Sequence, residues 1–422
     1  MSDLFYKLEG KLSPEQRQAI REVQQAAERA QMNLFLTGGA VRDLMAGVPI
    51  RDLDFSVEGA ALKLIRQLDR ARFTVLSVDG RRQSAELRFA GAVTLEIAAC
   101  RSQRYAKTGA APEVTRAGIQ EDLRRRDFSI NAVAISLNTA SRGLLLDPSN
   151  GLADIERKEL RVLSTYSFYD DPARLLRLVR LESRLQYAVE ERTRGLYQSA
   201  REAKVEQYLT PRSLLVELRQ LAAEPAAAEA VKALASAGLL AVFHPQLEGK
   251  IDAAALGKLD RARRSFEEAG LPVDSFGPFL HCLTAKLNSA ARGVLRQRTG
   301  LRGADSRSWT GLESRAKALQ RTLAGKQLAQ PSRAYRLLAE QDAALLLYVL
   351  AFSPLAPVRE KIRNYLTKLR PLARSLDDHD LDELGVKRDT PRFARLREAY
   401  LTARLDNKIK SKADAAKVLG AV

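Results

Sequence analysis

Two aspartates one residue apart, Asp52 and Asp54, follow a glycine pair, Gly38-Gly39, in the stretch Leu34–Gly59, LFLTGGAVRDLMAGVPIRDLDFSVEG. Residues i and i+2 of a strand project to one face, so the two carboxylates lie side by side with Leu53 pointing into the core behind them. Like charges held that close repel unless a cation lies between them, and hard oxygen ligands of this kind suit Mg²⁺, which also binds substrate phosphates. Gly38-Gly39 lets the backbone approach a ligand closely, and a helix beginning near Ala40 turns free N–H groups toward a phosphate. Arg42 adds a charge-assisted contact. Each half alone has a plainer reading, a tight turn or a solvated edge. Together they suit one task, holding a metal–triphosphate.

The elements that must position these groups are legible around them. A helix over residues 13–31 opens on Ser13-Pro14-Glu15-Gln16, an N-cap, a first-turn proline and a capping-box glutamine. The strand Asn33–Leu36, the glycine turn, a short helix and a second strand carrying Asp52-Leu53-Asp54 come next. Ala60–Arg70 reads as a helix, and Phe73–Val78 and Ala85–Phe89 as strands, the latter entering a turn at Gly91. Ala92–Ala98 alternates, with Val93, Leu95 and Ile97 on one face and Thr94 and Glu96 on the other. Glu96 is ordinary surface or a third acid contributed from a neighbouring strand. Periodicity lapses from Arg101 to Asp122, the mark of a functional or mobile loop, and Leu144–Asp147 closes the sheet. Beyond Glu224 the chain is alanine- and leucine-rich helix with no strand alternation, so this half is all-α.

Composition narrows the partners. The 422 residues suffice for two to four domains, and no apolar run approaches a membrane span. The N-terminus lacks the apolar segment of a signal peptide, which points to the cytoplasm. Two cysteines, Cys100 and Cys282, and three scattered histidines make neither a disulfide framework nor an imidazole metal site. Lys and Arg exceed Asp and Glu by 18, a balance suited to a polyanion partner as well as to a soluble basic surface. Arg292–Arg302, Arg315–Lys326, Arg359–Arg374 and Lys408–Lys417 supply separate basic patches, while Trp309 reads as packing.

The pattern GG-x-VRD, a spacer, D-x-D and the trailing Gly59 resembles the signature of the class II tRNA nucleotidyltransferase and bacterial poly(A) polymerase superfamily. The resemblance implies a fold, a polymerase-type α/β nucleotidyltransferase head with a mixed sheet, followed by all-α neck, body and tail. It also implies roles for later motifs. Arg125-Arg126-Asp127-Phe128-Ser129-Ile130-Asn131-Ala132 is similar to the family's RRD-x-x-x-NA, which assigns Arg125, Arg126, Asp127 and Asn131 to the ribose. Asp127 and Asn131, four apart, share one helical face. Asp170-Asp171-Pro172-Ala173-Arg174 resembles the family's protein template for the incoming base, where Asp170 replaces a commoner Glu; Asp171 and Pro172 also suit a plain helix start. Arg174, Arg177, Arg180 and Arg184 stripe the helix that follows, and Arg177 is the expected phosphate contact. Residues Arg101–Asp122 correspond to the family's flexible loop. There Ala110-Ala111 stand where CCA-adding members often carry arginines, and Gly109-Ala110-Ala111-Pro112 looks closer to the subset adding only the terminal A. Asp147–Asp154 resembles the hinge between head and neck, and Thr210-Pro211-Arg212 with Glu217 a motif bracing the neck.

The expectation is therefore template-independent transfer of nucleotides from ATP and CTP to the 3′ end of a tRNA acceptor arm. Asp52 and Asp54 would bind Mg²⁺, with two ions expected, Glu96 would join them as a catalytic acid, and Gly38, Gly39, Arg42 and Arg177 would bind the triphosphate. The expected domains are a head over residues 1–150, a neck over 151–224, a body over 225–330 and a tRNA-binding tail over 331–422. A bacterial poly(A) polymerase is the rival within the class, and a non-catalytic RNA-binding protein the rival outside it. A dinucleotide-binding domain is a weaker rival still, because Gly38-Gly39 lacks the third glycine of G-x-G-x-x-G and the Asp-x-Asp has no role there.

Overall fold

The computed structural model describes residues 3–89, 93–325, 328, 330–375, 393–409 and 411–420; the turn at Gly91, Ala92, and Lys326 and Lys410 of the basic patches lie outside the described residues. The chain divides into two compact units, Met1–Ser213 and Leu214–Val422.

The first unit is built on a seven-stranded mixed sheet of order β3-β4-β5-β2-β1-β8-β9. Its strands are β1 (Asn33–Thr37), β2 (Leu53–Glu58), β3 (Phe73–Asp79), β4 (Ser84–Phe89), β5 (Thr94–Ala99), β8 (Ala134–Ser136) and β9 (Leu145–Leu146). Between β5 and β8 the chain forms a separate antiparallel ribbon, β6 (Arg101–Arg104) with β7 (Glu113–Arg116). Helices α1 (Asp3–Lys11), α2 (Pro14–Arg29), α3 (Gly39–Met45) and α4 (Ala61–Ile65) precede the ribbon, and α5 (Ile119–Arg124) follows it. The expected capping box is formed: Gln16 N donates to Ser13 Oγ at 3.1 Å and Ser13 N to Gln16 Oε1 at 2.9 Å. Apolar residues of α2 and of alternate sheet positions meet in one core, where Leu36, Leu53, Val57 and Ile97 are fully buried. Each such side chain contributes roughly 1.5–3 kcal/mol of burial. That burial fixes the register of β2 and so the face on which Asp54 stands, since a one-residue slip would turn Asp54 into the core.

Some boundaries differ from expectation. The first helix is α1, ahead of the capping box, anchored by buried Leu8. The helix expected over Ala60–Arg70 stops at Ile65, and the strand expected over Leu144–Asp147 shortens to two residues. Arg101–Asp122, expected as loop, holds the β6–β7 ribbon and the start of α5. The ribbon strands Arg101-Ser102-Gln103-Arg104 and Glu113-Val114-Thr115-Arg116 are polar at all positions but Val114, so they have no apolar face and no alternation to read.

The unit continues with α6 (Gly151–Arg157), the strand pair β10 (Glu159–Leu160) and β11 (Ala188–Val189), α7 (Ser167–Asp170), α8 (Ala173–Leu185) and α9 (Glu191–Glu202). The second unit is helical throughout its described residues. Trp309 is buried packing there, and Cys282 and His244 are buried as well. No helix among the described residues is long and apolar enough to cross a membrane.

Candidate active site

Asp54 occupies a central strand and pairs in register with Thr37 of β1 on one side and Glu96 of β5 on the other; Glu96 in turn pairs with Glu86 of β4. Directly paired residues share a face, so three carboxylates, those of Asp54, Glu96 and Glu86, run in a row across adjacent strands. Asp52 stands just before β2 rather than on it and is exposed at the edge of this row. Like charges opposite one another in a sheet are destabilising. Burial first, and then the Glu96 and Asp52 charges, push the Asp54 carboxyl up to about 7 against the partial relief of Arg126 and Arg42. Glu86 was missed in the sequence, although Ser84–Phe89 alternates and places Glu86 and Arg88 on its polar face.

Beside this row lies the glycine turn. Gly38 adopts φ +67°, and a Cβ built there would lie 2.9 Å from Asp54 Oδ2 and 3.1 Å from Arg126 Nη1. Only glycine fits both the backbone and the space. Replacing Gly38 with Ala is expected to cost about 1–3 kcal/mol of unfolding free energy, read by urea titration; a neutral effect would show that the turn takes another conformation. A Cβ on Gly39 would lie 3.4 Å from Arg42 Nη2, which puts the Arg42 guanidinium directly against the turn. That guanidinium is buried, with Nη1 donating to Asn131 Oδ1 at 2.7 Å and Nε and Nη2 donating to Asp43 Oδ1.

The arginine-rich string is organised by a residue to which no role fell in the sequence, Asp122, fully buried on α5. Its Oδ1 accepts from Arg125 Nε and Nη2 and from the Arg101 backbone N–H, and its Oδ2 from Arg126 Nη2 at 3.0 Å. Burial would raise this carboxyl, but Arg126 and Arg125 outweigh it and hold it below the usual range. Arg126 Nη2 also donates to Thr37 Oγ1 and Ser56 Oγ, both at 3.0 Å, so its guanidinium clamps α5 to β1 and β2 beside the acid row, on the same face. The i+3 and i+4 spacing of Arg125 and Arg126 from Asp122 was a usable signal.

Asp127 and Asn131 are joined as their spacing predicts, Asn131 Nδ2 donating to Asp127 Oδ1 at 3.1 Å, although the segment holding Asn131 is a 3₁₀ turn, Ser129–Asn131. Arg177 of α8 donates to Asp127 Oδ2 at 2.9 Å. Burial opposes ionisation of Asp127, yet Arg177 and Arg174 prevail and hold its carboxyl far below the usual carboxylate range.

At the start of α8, Asp171 Oδ1 accepts the Ala173 N–H at 3.2 Å, the capping role its type suggests. Arg174 is buried, with Nη1 on Ser167 Oγ at 2.7 Å and Nη2 on the Arg125 carbonyl at 3.0 Å. Its Nε, 3.9 Å from Asp171 Oδ2, is buried without a hydrogen-bond acceptor. Asp170 lies alongside, its carboxyl raised by burial and by Asp171 against the pull of Arg174. The β6–β7 ribbon reaches this region: the Gly109 N–H donates to the Tyr169 carbonyl at 3.4 Å, and a Cβ on Gly109 would lie 2.7 Å from the Tyr208 carbonyl oxygen. Thus the structure gathers Asp54, Glu96, Gly38 and Arg126 at one place. Arg42, Asn131, Asp127 and Arg177 form a chain beside it, and Asp171 with Arg174 stands beyond, against Arg125.

The donor set fits a divalent cation shared with a phosphate. Among the described residues no group of three or more His, Cys, Asp or Glu side chains could hold a metal unaided. Mg²⁺ characteristically binds through one or two carboxylates plus substrate phosphates, and the crowded charge at Asp54 is what a cation would relieve.

The Poly A polymerase head domain family matches residues 34–161. An A-adding tRNA nucleotidyltransferase of Geobacter sulfurreducens is 27% identical over 413 residues, covering 94% of this chain and 46% of that protein. An A-adding tRNA nucleotidyltransferase of Halalkalibacterium halodurans is 42% identical over 181 residues, 42% of either chain. The chain thus spans less than half the length of these curated relatives. A solved apo structure of a CCA-adding enzyme superposes with a TM-score of 0.54 at 26% identity, over 100% of this chain and 99% of that one.

Proposed function

We propose that this chain is a class II tRNA nucleotidyltransferase that transfers AMP from ATP to the 3′ end of a tRNA already ending in CC, releasing pyrophosphate. The observation that carries the transfer chemistry is the Asp54 carboxylate, in register with Glu96 and against the Gly38 turn. In this reading Asp52 and Asp54 hold Mg²⁺. The bound cation would make the primer 3′-OH more acidic and offset charge on the departing pyrophosphate. Gly38 and Gly39 place backbone N–H groups at the triphosphate, with the charges of Arg42 and Arg177 nearby. Asp127 and Asn131 meet the ribose hydroxyls, held in place by Arg177 and Arg42, while Arg125 and Arg126 close on Asp122 behind them. The reaction belongs in the cytoplasm.

Asp171 and Arg174, an ion pair at the start of α8, are the acceptor and donor that would face a base. Adenine and cytosine both show an exocyclic amino donor beside a ring-nitrogen acceptor, so this pair reads either one, and the choice must fall to the space around it. The Gly109-Ala110-Ala111-Pro112 tip, packed on Tyr208, and the two A-adding relatives favour addition of the terminal A. The match of the head to the Poly A polymerase family favours a second reading, addition of A tracts to arbitrary RNA.

Incubating the chain with Mg²⁺, each NTP and tRNA ending in N, NC or NCC, then sizing the products, separates these. One A on NCC alone supports the proposal. Three residues on the bare end mean CCA addition, and a long A ladder on unrelated RNA means a polymerase. No product in any lane overturns nucleotidyl transfer itself.

A further inference from the structure

We propose that Asp43, which lies outside the acid row and the arginine-rich string, is the positioning residue that aims the ribose-reading pair Asp127 and Asn131. The inference rests on the ribose role proposed above. Asp43 is 3% exposed and engages two arginines. Its Oδ1 accepts from Arg42 Nε at 2.9 Å and Nη2 at 2.7 Å, and its Oδ2 from Arg184 Nη2 at 3.2 Å. Two N–H groups of one planar fork on a single oxygen fix the guanidinium in its plane. Thus held, Arg42 turns Nη1 onto Asn131 Oδ1 at 2.7 Å.

That last bond decides how the Asn131 amide is turned. With its oxygen on Arg42, its Nδ2 must face Asp127, and it does so at 3.1 Å. Asp127 is anchored from the far side by Arg177. Arg177 and Arg184 are seven residues apart on α8, two turns along one face, so one helix grips both ends of the series Asp43, Arg42, Asn131, Asp127. Removing the charge at position 43 takes two charge-assisted bonds from Arg42. The Asn131 amide then keeps only its bond to Asp127, so its oxygen is held less firmly and its aim toward a sugar hydroxyl loosens.

A loss of this kind shows as lost discrimination between ribose and deoxyribose, which general loosening of the fold does not produce. The test compares kcat/KM for ATP and dATP on tRNA ending in CC, using the full chain and the variants Asp43→Asn, Arg184→Gln and Asn131→Ala. For Asp43→Asn the ATP preference is expected to fall by at least about tenfold, carried by a higher KM for ATP with little change for dATP. Arg184→Gln is expected to move the ratio the same way by a smaller factor, and it carries the test should Asp43→Asn not fold. An equal loss on ATP and dATP, or an unchanged ratio in the folded variants, overturns the inference. If Asn131→Ala loses the preference while Asp43→Asn keeps it, the positioning role alone is wrong. If Asn131→Ala keeps it, the ribose reading is wrong and the inference falls with it.

Discussion

Asp54→Ala is expected to leave less than about one per cent of wild-type nucleotide incorporation, a loss of at least roughly 2.7 kcal/mol in transition-state stabilisation, while tRNA binding stays nearly intact. The same substitution is expected to leave the melting temperature unchanged or slightly higher. Asp54 is held near 7 by burial and by the Glu96 and Asp52 charges, so in the absence of a cation it strains the sheet rather than bracing it. Activity and stability thus part company at this position, the trade-off expected of a site built for a ligand that the empty protein must tolerate. Incorporation by gel and melting by calorimetry on one preparation check both halves. Residual turnover above one per cent, or a drop in melting temperature matching the lost activity, would mean that Asp54 supports the fold and not the transfer.

Asp122→Ala is expected to act in the opposite sense, chiefly on stability. Removing the shared acid of Arg125 and Arg126 leaves two partly buried guanidinium groups without their counter-charge, and breaking a buried pair in this way typically costs about 3–5 kcal/mol. For a unit of this size that lowers the melting temperature by on the order of 10 °C. The pH dependence follows from the depressed Asp122 carboxyl. A group whose folded-state value lies below its ordinary 3.8 contributes fully above that value, and its contribution is lost as pH falls through the folded-state value. The gap between wild type and variant should therefore be widest near neutrality and close below about pH 4. A gap unchanged into acid would show that Asp122 acts by shape and not by charge.

What could be read beforehand followed from periodicity and local spacing. The capping box at Ser13, the alternation through Leu95 and Ile97, and the buried Leu53 next to Asp54 each depend on neighbours within a few residues and have their expected form, whereas Asp52, expected on the same strand, stands just before it. The partners of the arginines were not legible, because they lie far along the chain. Arg42 meets Asn131 across 89 residues, Arg177 meets Asp127 across 50, and Arg184 meets Asp43 across 141. Each arginine read as a hand held out to a ligand already grips a carboxylate or amide of the protein. Asp43 was hidden by the same cause, since its adjacent Arg42 looks like a simple ion pair until Arg184 arrives from another element. The acid row across β2, β5 and β4 needed the strand order, and no linear pattern shows that Glu86 and Asp54 flank the same glutamate.

Protein-templated addition of a single A is tested most directly by kcat/KM for ATP against CTP on tRNA ending in CC, with products sized at completion. The predicted result is one A per tRNA, no second addition, and CTP used at least about a hundredfold less well. Comparable use of CTP, or continued growth of the product with ATP, would contradict it.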